Sequence, residues 1–420
     1  MGQAATRGRF GGVLHMRGEP NRQLTRYQSE NARPGGQSRE VARLPRSTIA
    51  LVAPSPAMLA VATGSMIYEI SNSGTDVVCF APAVDEAALQ ALARLRAPVY
   101  DLPSFSQGFS PMADQRAIIA LTRAFKHFRP DVVAGYSPKG AMIAGLAAKL
   151  AGVPRSVAII GELGRGFEEA PEQISRARRQ LQKNLFRFAF KLSDTAIFFN
   201  EENHKLLQSY RLLPAKMRQF PMNGSGLDLR YFPPAPLPPI DRGVMFLFAG
   251  PLDRRLGIAE FCEAARRLKA KPGRYKCLVA GPEIRGSHAF PLSELKRYRD
   301  VVQYLGPQAD PRPYMARTHV FVLPGRGDTI PQALMEAIAM GRPVITSTSR
   351  GCRVVVREGR EGVNGLIVPP GDAQALAGAM ARLLQRPDLI PAMSRASREL
   401  AETQFDIRRI NALLLGALDL

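Results

Sequence analysis

Two carboxylates, Asp328 and Glu336, lie in the segment FVLPGRGDTIPQALMEAIAMG, which follows Val320 and ends at Gly341. An ionised carboxylate only accepts hydrogen bonds, and it can hold two hydroxyls at once, as a ribose diol requires. The first backbone N–H groups of a helix have no partner within it and favour anions. Acids and such N–H groups at one helix start suit a ligand that carries both hydroxyls and phosphates. Val320 to Leu323 is an apolar run bounded by Pro324 and Gly325, which predicts a buried strand of a parallel sheet. Pro331 suits the first residue of a helix and Gly341 its stop, and a second apolar strand is predicted from Pro343 to Thr346. This strand–helix–strand unit would set the loop Gly325 to Asp328 at the carboxyl edge of the sheet, where α/β folds bind ligands.

The elements around it alternate. Strands are predicted at Thr48 to Ala53, Asp76 to Phe80, Val99 to Leu102, Asp131 to Ala134, Ser156 to Ile160 and Thr195 to Phe199. Helical stretches separate them, including Ala57 to Ser71, Met112 to Phe128 and Ala141 to Ala151. Alternation of this kind predicts a doubly wound α/β domain over residues 47–239. The prolines from Pro233 to Pro239 mark a stiff crossover. A second such domain is predicted over 240–395, opening on the strand Val244 to Gly250 (VMFLFAG), with 396–420 as a terminal helical segment. The loop after the first strand reads APSPAML and lacks G-x-G-x-x-G, which argues against a nicotinamide dehydrogenase.

The spacing from Asp328 to Glu336 resembles the E-x-x-x-x-x-x-x-E signature of glycosyltransferase family 4, retaining sugar transferases of GT-B fold, with aspartate in the first slot. The following GRPVITSTSRGCRVVVREGREGVNGLIVPPGD is similar to the family's next segment. The resemblance implies two Rossmann-like domains facing across a cleft, acceptor on the first and nucleotide-sugar donor on the second. It implies that Glu336 accepts hydrogen bonds from ribose hydroxyls. Asp328 would face the transferred sugar, with the N–H groups of Thr329 and Ile330 beside it. PLDRRLGIAEF resembles the diphosphate-binding G-R-L-x-x-x-K-G segment. Gly250, Leu252 and Gly257 keep its frame, but Pro251 and Leu256 replace its arginine and lysine. Arg254 and Arg255, in the same loop, are read either as substitutes or as surface charges.

On the first domain, DVVAGYSPKGAMIAGLAAKLAGVP resembles a family segment whose loop contains a histidine. Ser137, Pro138 and Lys139 keep the end of that loop, and the histidine is missing. GELGRGF, Gly161 to Phe167, resembles the G-L-G-x-x-F loop near the acceptor, with Glu162 in place of the leucine. Gly164 and Gly166 would let its backbone approach a ligand closely. The family needs neither a cofactor nor a metal, and no metal-ligand cluster is visible in the sequence. The leaving diphosphate is thought to help deprotonate the acceptor.

The chain has 420 residues, with 57 Lys and Arg against 36 Asp and Glu, a net charge of +21. That surplus implies an anionic partner: nucleic acid, acidic lipid headgroups or phosphorylated substrates. No nucleic-acid-binding motif is recognisable, so nucleic acid is not expected. Residues 1–46 hold nine arginines and three glutamates with few apolar residues, which predicts a disordered basic tail. That tail reads as a tether to anionic lipid or RNA, or as an extension without a role. Glu172 to Leu192 is the most basic helix, with an apolar stripe expected at Ile174, Leu181, Leu185, Phe188 and Leu192. It reads as a membrane-docking element or as a core helix with a solvated basic face. Cys79, Cys262 and Cys277 sit in apolar surroundings, as small hydrophobes in a reducing compartment. No run of eighteen apolar residues and no signal-peptide core occur, which predicts a cytoplasmic protein, peripheral on the inner membrane face. The expected activity is transfer of a sugar from a UDP-linked nucleotide sugar to a lipid-linked saccharide acceptor in surface polysaccharide biosynthesis. The competing reading is a non-catalytic GT-B protein that scaffolds or regulates a partner transferase. The lost Arg and Lys favour it, and the intact glycine frame opposes it.

Overall fold

The computed structural model describes residues 47–56, 58–59, 64–95, 97–105, 110–164, 167, 176–357 and 364–420. The basic tail 1–46, Gly166 and the expected helix start at Glu172 lie outside the described residues.

The first lobe holds β1 (Thr48–Val52), β2 (Asp76–Pro82), β3 (Val99–Leu102), β4 (Val132–Tyr136), β5 (Arg155–Ile160), β6 (Thr195–Phe198) and β7 (Arg218–Pro221). They form one parallel sheet in the order β3-β2-β1-β4-β5-β6-β7. Its helices are α1 (Gly64–Asn72), α2 (Glu86–Arg94), α3 (Pro111–Phe128), α4 (Ser137–Ala151), α5 (Arg176–Lys191) and α6 (Glu201–Ser209). Successive strand residues serve opposite faces: Ile49 and Leu51 enter one core cluster, Ala50 and Val52 another. With both faces covered, the strands read as apolar runs. The edge strand β7, RQFP, is only half covered, and the sequence pattern misses it.

Helix α4 is built of small residues because it runs against β4 and α5 at close range. A Cβ on Gly135 would lie 2.5 Å from Ala141 Cα. The sheet could not accept even alanine there without moving the helix.

The second lobe holds β8 (Val244–Ala249), β9 (Tyr275–Ala280), β10 (Val302–Tyr304), β11 (Val320–Leu323), β12 (Val344–Ser347) and β13 (Gly365–Val368), parallel in the order β10-β9-β8-β11-β12-β13. Its helices are α7 (Ile258–Leu268), α8 (Leu292–Leu295), α9 (Arg312–Ala316), α10 (Gln332–Ala339), α11 (Arg350–Arg353), α12 (Ala373–Gln385) and α13 (Ile390–Leu400). Pro331 is the cap residue just before α10 and not its first residue.

The final helix, α14 (Ile407–Leu418), returns to the first lobe. Ile410, Leu414, Ala417 and Leu418 are buried in the cluster that contains Ile49, Leu51 and Ile67. Asp419 then pairs with Arg155 at 2.8 Å and Arg218 at 2.7 Å.

The interlobe segment is fixed by Arg342, which is fully buried. Its guanidinium donates to Thr318 O at 2.8 Å, Pro236 O at 3.2 Å and Ala235 O. The carbonyls of the proline-rich crossover thus hold a cation, and desolvation lowers its pKa to about 10.

Helix α5 corrects one sequence expectation. Its buried residues are Phe186, Ala189 and Phe190, whereas Leu181 and Phe188 are 53% and 44% exposed. The helix has two apolar faces, and the core takes the aromatic one.

Candidate active site

Each sheet reverses its strand order at one point, and α/β folds bind ligands beside such a point at the carboxyl edge. In the second lobe this is the β8/β11 junction. The loop after β8 and the loop after β11 meet there: Arg326 N–H donates to Arg255 O at 2.6 Å. The β11 loop rests on α11, where a Cβ on Gly351 would sit 2.0 Å from Thr329 O. Glycine at 351 is therefore what lets the Asp328 loop lie so low.

Glu336 lies in α10 and is 9% exposed. Gln332 Nε2 donates to its Oε1 at 2.8 Å. Burial pushes its carboxyl above the usual glutamate value; the Gln332 bond opposes this and Asp310, in the loop after β10, adds to it.

The two candidate arginines part company. Arg254 pairs with Glu294 and lies 5.0 Å over the Phe290 ring. Arg255 is gripped by Asp253 at 2.5 Å and acts electrostatically on Glu162 of the first lobe. Gly250 and Gly257 bracket this loop, both at positive φ, 155° and 85°.

In the first lobe the reversal falls between β1 and β4. A cavity opens there, lined by Pro54, Phe105, Ser137, Lys139, Glu162 and Gln182 among others. Ser137 starts α4 with φ 73°, a left-handed conformation unusual for a residue with a side chain, and its Oγ accepts from Gly140 N–H at 3.2 Å. Lys139 pairs with Asp114 at 2.9 Å. Gly164 also lines the cavity, at φ 75°, and Gln182 Nε2 donates to Leu163 O beside it.

The lobes meet at Asp328. Its Oδ2 accepts the N–H of Leu163 at 2.5 Å. Its carbonyl accepts Asn200 Nδ2 at 2.7 Å and Asn203 Nδ2 at 3.1 Å. Arg350 crosses the same seam, donating to Phe167 O at 2.6 Å and Asn203 Oδ1 at 3.0 Å. Glu162 stands beside this junction. Burial first, then the charge of Asp328, raises its pKa, and Arg255 pulls it down.

Asp328, Arg255, Glu162 and the Ser137–Lys139 turn are thus drawn to facing loops. Glu336 sits deeper in the second lobe, where the charge of Asp310 reaches it, and Arg254 turns to Glu294. Thr329 and Ile330 follow Asp328 in the loop held by Gly351. Asn200, Asn203 and Arg350 were not singled out from the sequence. The only signal there was Asn200 as a helix cap, accepting Glu202 N–H at 2.9 Å.

Two parallel α/β lobes with facing carboxyl edges define the GT-B class of architecture. Residues 59–223 match the model for the glycosyl transferase 4-like domain, and residues 243–386 match the model for glycosyl transferases group 1. One match falls on each lobe, and the chain belongs to this family of glycosyltransferases.

The amylovoran biosynthesis glycosyltransferase AmsK of Erwinia amylovora is 33% identical over 167 residues, 37% of this chain and 39% of that protein. The N,N'-diacetylbacillosaminyl-diphospho-undecaprenol alpha-1,3-N-acetylgalactosaminyltransferase of Campylobacter jejuni is 25% identical over 280 residues, 64% of this chain and 72% of that protein. The chain spans less than half the length of the first three curated relatives it matches. The structure of Anabaena HepE in complex with UDP superposes with a TM-score of 0.70 at 16% identity, over 89% of this chain and 99% of that one. At that identity the likeness speaks for the fold alone.

Among the described residues no helix is long and apolar enough to cross a membrane.

Proposed function

We propose that this protein is a retaining hexosyltransferase. It would transfer a sugar from a UDP-linked nucleotide sugar, bound as substrate and not as cofactor, to a lipid-linked saccharide in surface polysaccharide biosynthesis. The observation that carries the reading is the bond that Asp328, on the donor-lobe loop, accepts from Leu163 N–H at the wall of the acceptor-lobe cavity. The names of relatives acting on diphospho-undecaprenol sugars, and of a fold relative bound to UDP, support the choice of substrates.

In this reading Glu336 accepts the ribose diol, a task for an ionised carboxylate. Asp328 exchanges its bond to Leu163 N–H for hydroxyls of the transferred sugar. The N–H groups of Thr329 and Ile330 and the Arg255 guanidinium face the diphosphate, with the Gly250 and Gly257 turns giving it room. Ser137, Lys139, Gly164 and Gly166 serve the acceptor side. No metal is invoked. Net charge +21 and the basic α5, with Leu181 and Phe188 exposed, suit an anionic membrane surface on the cytoplasmic side, where such acceptors are anchored. Nucleic acid has no part in the proposal.

A scaffold reading is favoured by one observation: Pro251 and Leu256 occupy the two places where the family's diphosphate cations stand. Calorimetric titration with UDP and with UDP-sugars separates the two. Binding in the micromolar range with turnover supports the transferase. Absence of binding at millimolar ligand removes it.

A further inference from the structure

Glu162 is an acid at a point where the loop it resembles has leucine, and the fold gives it a particular position. It lines the acceptor-lobe cavity together with Ser137, Lys139 and Gln182. The residue next to it, Leu163, supplies the N–H that Asp328 accepts at 2.5 Å. Its side chain is half-buried and lies close enough to Asp328 and Arg255 for their charges to act on it. We propose that Glu162 is a catalytic base that takes the proton of the acceptor hydroxyl as it attacks.

This inference rests on the transferase reading. The acceptor O–H proton passes to the Glu162 carboxylate, and the acceptor oxygen bonds to the anomeric carbon on the same face that the diphosphate leaves, as retention requires. The bond from that carbon to the nucleoside diphosphate oxygen breaks, and its electron pair leaves on the diphosphate. With Pro251 and Leu256 in place of two cations, departure of the diphosphate receives less electrostatic help. A stronger nucleophile offsets that loss.

The surroundings suit a base. Burial and Asp328 raise the carboxyl above its ordinary value, which makes it a stronger base, and Arg255 opposes them. Lys139 faces the same cavity, but its ammonium is paired with Asp114. The Tyr136 hydroxyl, pushed up to about 12 by burial and by Glu162, stays neutral and does not compete.

The test compares wild type, Glu162→Gln and Glu162→Ala in the full chain. Nucleotide release is measured from UDP-glucose, UDP-galactose and UDP-N-acetylglucosamine, with water and with synthetic lipid-diphosphate saccharides as acceptors. UDP affinity serves as the folding control. Glu162→Gln should keep UDP affinity within about twofold and lose kcat by about 100-fold or more. It should also lose the acidic limb of the pH–rate profile, and formate should restore part of the rate of Glu162→Ala. A Glu162→Gln chain with wild-type kcat and pH profile overturns this inference and leaves the transferase reading standing. If Glu162→Gln also loses UDP affinity, the formate experiment decides, and no rescue overturns the proposal. A wild-type chain that releases no nucleotide from any donor overturns the transferase reading, and this inference with it.

Discussion

Replacing Glu336 by alanine or glutamine should weaken UDP binding, and in the unliganded protein glutamine should raise stability at neutral pH. The two effects come from one fact, the burial of a carboxylate that is 9% exposed. A hydrogen bond to a charged group contributes about 1.5–3 kcal/mol. Losing even one of the two bonds to a ribose diol should therefore cost about 1.5–3 kcal/mol, or roughly 10- to 140-fold in Kd. Stability moves the other way because the folded-state pKa of Glu336 is raised. Between the unfolded and folded pKa values the native state binds more protons, so stability falls as pH rises through that window. Glu336→Gln removes the ionisation and can still accept the Gln332 bond. Its Tm at pH 7 should exceed that of wild type, and the difference should vanish below the unfolded carboxyl pKa. Wild-type UDP affinity should decline on acidification earlier than an exposed glutamate would dictate. Calorimetry with UDP and thermal melts across pH measure both. If Glu336→Ala binds UDP within twofold of wild type, the ribose assignment is wrong. A lower Tm for Glu336→Gln at pH 7 would refute the burial argument.

Arg255→Ala should weaken UDP far more than uridine, because Arg255, though paired with Asp253, acts across the seam on Glu162, whereas Arg254→Ala, whose guanidinium lies over Phe290 and pairs with Glu294, should leave the UDP-to-uridine ratio unchanged; equal effects would undo the distinction. Arg350→Ala removes the donors to Phe167 O and Asn203 Oδ1 and should enlarge the radius of gyration of the unliganded protein in X-ray scattering; an unchanged value would show that the seam holds without it. Leu181→Glu with Phe188→Glu should abolish binding to anionic vesicles without lowering Tm, since both side chains are exposed; retained vesicle binding removes α5 as the docking face.

Much of the architecture could be read from the chain because parallel strands covered on both faces leave unbroken apolar runs, as in TIALV and VFVL. The β11–α10–β12 unit was legible for the same reason, helped by the proline and glycine at the helix ends. What escaped had a physical cause. Strand β7, RQFP, is an edge with exposed ends and carries no such run. Helix α5 offers two apolar faces at helical spacing, and only the neighbouring core decides between them. Leu163 and Asp328 are 165 residues apart, and Asn200 and Asp328 are 128 apart. Local pattern cannot report such contacts, nor the carbonyl cage around Arg342. Glu162 was visible as a departure from the loop it resembles, but only the fold puts it beside Asp328.

Because α14 completes the core of the first lobe, a sheet that starts early in the chain is finished by a helix far downstream. On the ribosome, the sheet that begins at Thr48 must wait with an apolar groove open until Ile410 to Leu418 emerge. Neither half can be cut out at the proline-rich crossover and expected to behave as a free-standing unit. An expression strategy for the acceptor half alone would have to supply the missing terminal peptide in trans.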